Sequence, residues 1–202
     1  MKGTTSTQYD GFETTITDAL NNEKDLVTDA FGNLIQVKEH NDGSIYTTDY
    51  VYNAQNLLTR ITDEESNVRN ISYDGLGRRT SLEDLHSSSD TTFGTWSFTY
   101  GDMNLTSQAD PNGTTTSYTY DDLNRILTED NSGTTGVEVT YSYDSCTNGD
   151  GLLCSVVTDE ITTSYTYLKQ NLVDAVSKII DEVTYTTSTD YDWQGNVTKI
   201  TH

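Results

Sequence analysis

The chain has 202 residues, only 33% of them hydrophobic, and 32 acidic against 11 basic side chains give it a net charge of −21. A field of that sign repels nucleic acid and anionic membrane, and no apolar run approaches the length of a membrane-crossing helix. Low hydrophobicity with high charge points toward disorder, but 14 tyrosines in regular array and a single proline point more strongly away from it.

The opening stretch, MKGTTSTQYD, has no apolar core of the kind a secretory signal needs. From Tyr9 onward a tyrosine motif returns: Tyr52-Asn53, Tyr73-Asp74, Tyr100-Gly101, Tyr120-Asp121, Tyr143-Asp144, Tyr167-Leu168 and Tyr191-Asp192, at spacings of 20 to 27 residues. Such a period marks one supersecondary unit repeated, each copy burying a face against its neighbours. Two residues before the tyrosine stands another large side chain, as at Tyr50, Ile71, Phe98, Tyr118, Tyr141 and Tyr165. Positions two apart share one face of a strand, so stacked units should align these residues as a ladder. After the tyrosine comes a turn residue that tolerates positive φ: Gly32, Asn56, Gly77, Asn104, Asn124, Asn171 or Gly195. A Thr- and aliphatic-rich strand follows, with apolar residues six and nine after the tyrosine, as in Leu58 and Ile61, Val173 and Val176, Val197 and Ile200. That spacing departs from simple alternation, and a bulge accounts for it. The reading is an all-β, antiparallel sheet built of repeated hairpins, a single domain over 1–202 of about eight units, strongly twisted or spiralling because so wide a sheet cannot stay flat.

Asp110 to Gly113 (DPNG) reads as the turn that closes one unit, with Pro111 presetting φ. Leu168 to Val183 is the one stretch with a helical alternative; the tyrosine period on either side favours two strands split at Asn171. Trp193 falls among turn residues such as Phe31 and Leu76 and is expected to fill a recurring packing slot, while Trp96 lies in the longest unit beside the extra loop LHSSSDTTFG. Cys146 and Cys154 flank a loop with Asn148-Gly149 at its start; they form either a hairpin disulfide or two buried thiols, and cannot alone build a zinc or iron–sulfur site. Calcium is the one ion the acidic loops suggest, yet none has ordered ligand spacing; no cofactor is expected. His40, His86 and His202 lie in different units without a nucleophile or metal motif, so no catalytic residue is expected either. Exposed aromatics leave room for a glycan or protein partner.

The segments YDGLGRRTSL, YDDLNRILTEDNSGTTGVEVTYSYD and YDSCTNGDGLLCSVVTDEITTSYTYL resemble the Rhs or YD-repeat family, which includes shell parts of insecticidal toxin complexes and the teneurin ectodomain. Tyr73-Asp74 with Gly77-Arg78 matches the family's pattern in full, and Tyr120-Asp121 follows it with Asn124 in place of the glycine before Arg125. Tyr100-Gly101 and Tyr167-Leu168 lack the aspartate, so their turns should be held differently. The resemblance implies a non-catalytic stretch of shell or scaffold wall, located outside the cell or at its surface rather than in the cytoplasm. Its partners would be neighbouring YD-repeat units or further copies of itself, joined head to tail into a fibre or tube; the alternative is an adhesin or carbohydrate-binding stalk. Tyr52, Tyr73, Tyr120, Tyr143, Tyr167 and Tyr191, with Asp144 and Asp192, would carry the repeat.

Overall fold

Alternation of large and small side chains dictates strands, and the computed structural model, which describes residues 4–202, consists of strands joined by turns with no helix among them. Thr95–Tyr100 shows the pattern plainly: Trp96, Phe98 and Tyr100 are half-buried while Thr95, Ser97 and Thr99 face solvent. The chain divides into two compact units, Met1–Phe98 with Asp110–Asn112, and Thr99–Ala109 with Gly113–His202.

In the first unit the strands are β1 (Ser6–Asp10), β2 (Glu13–Thr17), β3 (Glu23–Thr28), β4 (Leu34–Asn41), β5 (Ser44–Tyr52), β6 (Leu58–Thr62), β7 (Asn67–Tyr73) and β8 (Arg79–Glu83). Each pairs antiparallel with the next. The short β9 (His86–Ser87) returns to the start of β7, and the first residues of β10 (Thr95–Tyr100) pair with β8 through Trp96 opposite Leu82. The second unit is a meander of its own through β11 (Leu105–Ala109), β12 (Thr115–Tyr120), β13 (Ile126–Asn131), β14 (Val139–Tyr143), β15 (Leu153–Thr158), β16 (Ile161–Tyr167), β17 (Val173–Ile180), β18 (Val183–Tyr191) and β19 (Val197–Thr201). The fold is an all-β, antiparallel array of repeated hairpins. Leu168 to Val183 is a turn and a strand, with Asn171 at φ 61° marking the break.

Burial is shallow. Val37, Val68, Cys154 and Tyr167 are the buried hydrophobic residues among those described, and no side chain is completely enclosed. Stability therefore rests on the ladder of paired strands and on contacts between consecutive hairpins, as repeat proteins build it, rather than on a central core.

Candidate functional site

The recurring structure is the edge where each tyrosine strand turns into the next. Opposite the tyrosine the ladder slips by one residue: Tyr52 faces Leu58 while Val51 faces Arg60, which leaves Thr59 as the extra residue. The same slip occurs at Tyr73, Tyr120, Tyr143, Tyr167 and Tyr191. This bulge produces the six-and-nine spacing of apolar residues read from the sequence.

A bulge interrupts the ladder and leaves backbone groups to be satisfied in another way. Here the following unit supplies the donor. Tyr73 Oη donates to the Leu58 carbonyl at 2.9 Å, and Leu58 is the residue opposite the preceding tyrosine, Tyr52. Tyr167 donates in the same way to Leu153, opposite Tyr143, and Tyr191 to Val173, opposite Tyr167, at 2.7 and 2.9 Å. Tyr52 reaches Leu34 and Tyr120 reaches Leu105. Each phenol thus ties its hairpin to the one before. Desolvation raises the pKa of Tyr52, Tyr120 and Tyr167, keeping the donor proton in place.

The turn itself is closed by the aspartate. Asp74 Oδ1 accepts the Leu76 and Arg78 amides, both at 2.9 Å, and Oδ2 accepts Arg78 Nε at 2.7 Å. Asp121 repeats this with Leu123 and Arg125, and Asp192 with Gln194 and Asn196. The amide bonds from Arg78 and Arg125 hold the Asp74 and Asp121 carboxyls below the ordinary range, and the Asn196 side-chain amide does so for Asp192. The residue before the Arg or Asn takes positive φ, Gly77 at 80° and Asn124 at 61°. The motif reaches beyond the Tyr-Asp repeats: Asp with Asn four residues on also builds the turns at Asp18, Asp29 and Asp63. That spacing was the available signal.

The Gly101 and Leu168 turns, which have neither Asp nor Asn after the tyrosine, differ from each other. Leu168 keeps the same backbone closure, with its N–H donating to the Leu172 carbonyl, whereas Gly101 donates to the carbonyl of Asn104, one residue nearer. The Asp144 turn departs most. Its N–H reaches the Leu152 carbonyl at 3.1 Å, so four residues are inserted into an otherwise equivalent closure. A disulfide joins Cys146 in the inserted loop to Cys154, the bulged residue of β15, with Cα atoms 5.3 Å apart. The bridge runs from turn to bulge rather than between facing strand positions. Asp144 Oδ1 accepts the Gly151 amide of its own turn at 2.7 Å, and the carboxylate also takes Arg125 in a bidentate pair at 2.7 and 3.0 Å; the Arg125 pair and then the Gly151 amide lower its pKa. The same guanidinium lies 4.4 Å from the Tyr143 ring centre, and Tyr143 donates no hydroxyl bond to a bulge carbonyl.

Trp193 does not fill a packing slot. It is 91% exposed, and Phe31, Leu76, Met103 and Leu123 also stand in solvent, because the middle of the turn projects beyond the paired strands. In the longest unit, His86 is buried and stacked on Phe93, with Nε2 3.1 Å from Glu83. Among the described residues no group of three or more His, Cys, Asp or Glu side chains has the arrangement to hold a metal ion.

Residues 52–84 and 104–135 match the RHS repeat family model. Those two stretches are repeats of the Rhs, or YD-repeat, kind. Three solved structures share the fold: TcdB2-TccC3-Cdc42 and TcdB2-TccC3 at 19% identity with TM-scores of 0.68 and 0.67, and TcdB2-TccC3-TEV at 18% with 0.68. They cover 88 to 92% of this chain, which spans 11% of each of theirs. No curated protein matches it in sequence.

Proposed function

We propose that residues 1–202 serve as one non-catalytic segment of a YD-repeat wall, of the kind that forms toxin-complex shells, working outside the cell. The observation that carries this reading is the serial tie from tyrosine hydroxyl to preceding bulge. It links each hairpin only to its neighbours, so the same unit can be added repeatedly without altering those already placed. Tyr52, Tyr73, Tyr120, Tyr167 and Tyr191 make the ties, Asp74, Asp121 and Asp192 close the turns, and Gly77, Arg78, Tyr143, Asp144 and the Cys146–Cys154 bridge shape individual units.

The natural partners of such a wall are further YD-repeat strands, including those of other copies. Strands β1 and β19 are exposed along their whole lengths, and their backbones can accept a neighbouring strand. A net charge of −21 opposes association, so assembly should strengthen as salt screens it. Light scattering coupled to size exclusion, across salt and protein concentration, tests this directly. Association that rises with salt and falls on Ile200→Lys supports head-to-tail pairing. A monomer under every condition removes self-assembly from the reading.

A further inference from the structure

Between the Leu168 and Asp192 turns lies a cavity of about 400 Å³, within the size range of small-molecule sites. Leu168 and Leu172 contribute apolar surface, Trp193 forms an exposed aromatic wall, and Gln170 and Gln194 stand at the rim. The frame is fixed on both sides: Leu168 and Asp192 close their turns through backbone bonds at 2.9 Å, and Tyr191 Oη is held by the Val173 carbonyl.

The chemistry of the lining selects among ligands. It contains no Lys or Arg, so a phosphate or carboxylate would find no counter-charge while facing the field of a strongly acidic chain. The carboxylate present, Asp192, already accepts three hydrogen bonds from Gln194 and Asn196 within its own turn, which leaves it little capacity to bind a cation. The rim amides differ. Among the described residues the Gln170 side chain has no hydrogen-bond partner, and Gln194 receives only a long bond, at 3.4 Å, on Oε1. An amide offers a donor and an acceptor side by side, matching a hydroxyl that does both. An uncharged ring with one C–H face and a margin of hydroxyls meets all of these conditions. We infer that Trp193, Gln170 and Gln194 form a binding site for a neutral pyranose, stacked on the indole face with its hydroxyls on the two amides.

Saturation-transfer NMR of the unaltered protein with maltotriose, cellotriose and chitotriose should show saturable transfer from at least one of them. Trp193→Ala, at an exposed position that the fold does not need, should weaken that binding by about tenfold or more, and Gln170→Ala by a smaller factor. Tryptophan-selective fluorescence of a Trp96→Phe variant, in which Trp193 is the sole tryptophan, gives a second reading of the same event. Choline and a glucuronate trisaccharide are the contrasting probes. No saturable response to any neutral sugar would overturn the inference, as would a stronger response to either charged probe or sugar binding that survives Trp193→Ala.

Discussion

The Asp121 and Asp144 turns are consecutive on the same edge and solve one problem in two ways. At Asp121 the aspartate closes its own turn on the Leu123 and Arg125 amides and on Arg125 Nε. At Asp144, where four residues are inserted, the carboxylate keeps one amide of its own turn, that of Gly151, and otherwise takes Arg125 of the preceding turn. The disulfide adds a second closure to the longer loop. Local hydrogen bonding suffices for a short turn, while a longer one needs a covalent constraint to limit the freedom of the added chain.

Removing that constraint should have the largest effect. The Cys146→Ser, Cys154→Ser double variant should lose about 2–3 kcal/mol by the loop-entropy relation for so short a loop, read as a lower urea midpoint, while reducing agent should leave the isolated chemistry of the plain turns unchanged. Next is Gly149, where an added Cβ would collide with the Cys146 sulfur and lie 2.7 Å from that of Cys154. Gly149→Ala should therefore cost about 1–3 kcal/mol and raise the fraction of free thiol measured by alkylation mass spectrometry. Gly75→Ala, in a plain turn with open space around the site, is the control and should be near neutral.

The phenol ties give a smaller contrast. Tyr120→Phe leaves the Leu105 carbonyl without its donor and should cost about 1 kcal/mol by thermal or urea unfolding. Tyr143→Phe removes no such bond and should cost much less. The smallest effect is expected from pH. The carboxyls of Asp74, Asp121, Asp144 and Asp192 all have depressed folded-state pKa values. Their stabilisation is therefore fully present above the unfolded value, about 3.9, and fades as pH falls through the lower folded one. Amide protection at these turns, relative to the intrinsic exchange rate, should fall below about pH 4, and Asp121→Asn should reduce that response because an amide keeps the Oδ1 acceptor without titrating. Asn53, which accepts the Gln55 and Leu57 amides, already shows that geometry.

What was legible in the sequence was what the chain decides locally. Tyr73-Asp74 with Gly77-Arg78 announces its turn because every partner lies within four residues, and the spacing from Tyr52 to Leu58 and Ile61 carries the bulge. Contacts between units left no such signal. The bond from Tyr73 to Leu58 joins residues 15 apart, and that from Arg125 to Asp144 joins residues 19 apart, so both depend on how hairpins stack. That Trp193 stands in solvent rather than in a packing slot was not legible for a related reason: periodicity aligns equivalent positions but does not say whether that line faces protein or water.

The extra length in the Asp144 turn leaves the rest of its unit undisturbed. Tyr143 still faces Leu153 and the bulge still falls at the next residue, as in units with the short turn. Four residues have entered a strip whose register is set elsewhere. The tyrosine edge is thus a graft point: foreign loops of similar length, stapled from the turn to the bulge as Cys146 is to Cys154, should be displayed there without resetting the strands, and a lineage could vary this rim while the wall behind it stays the same.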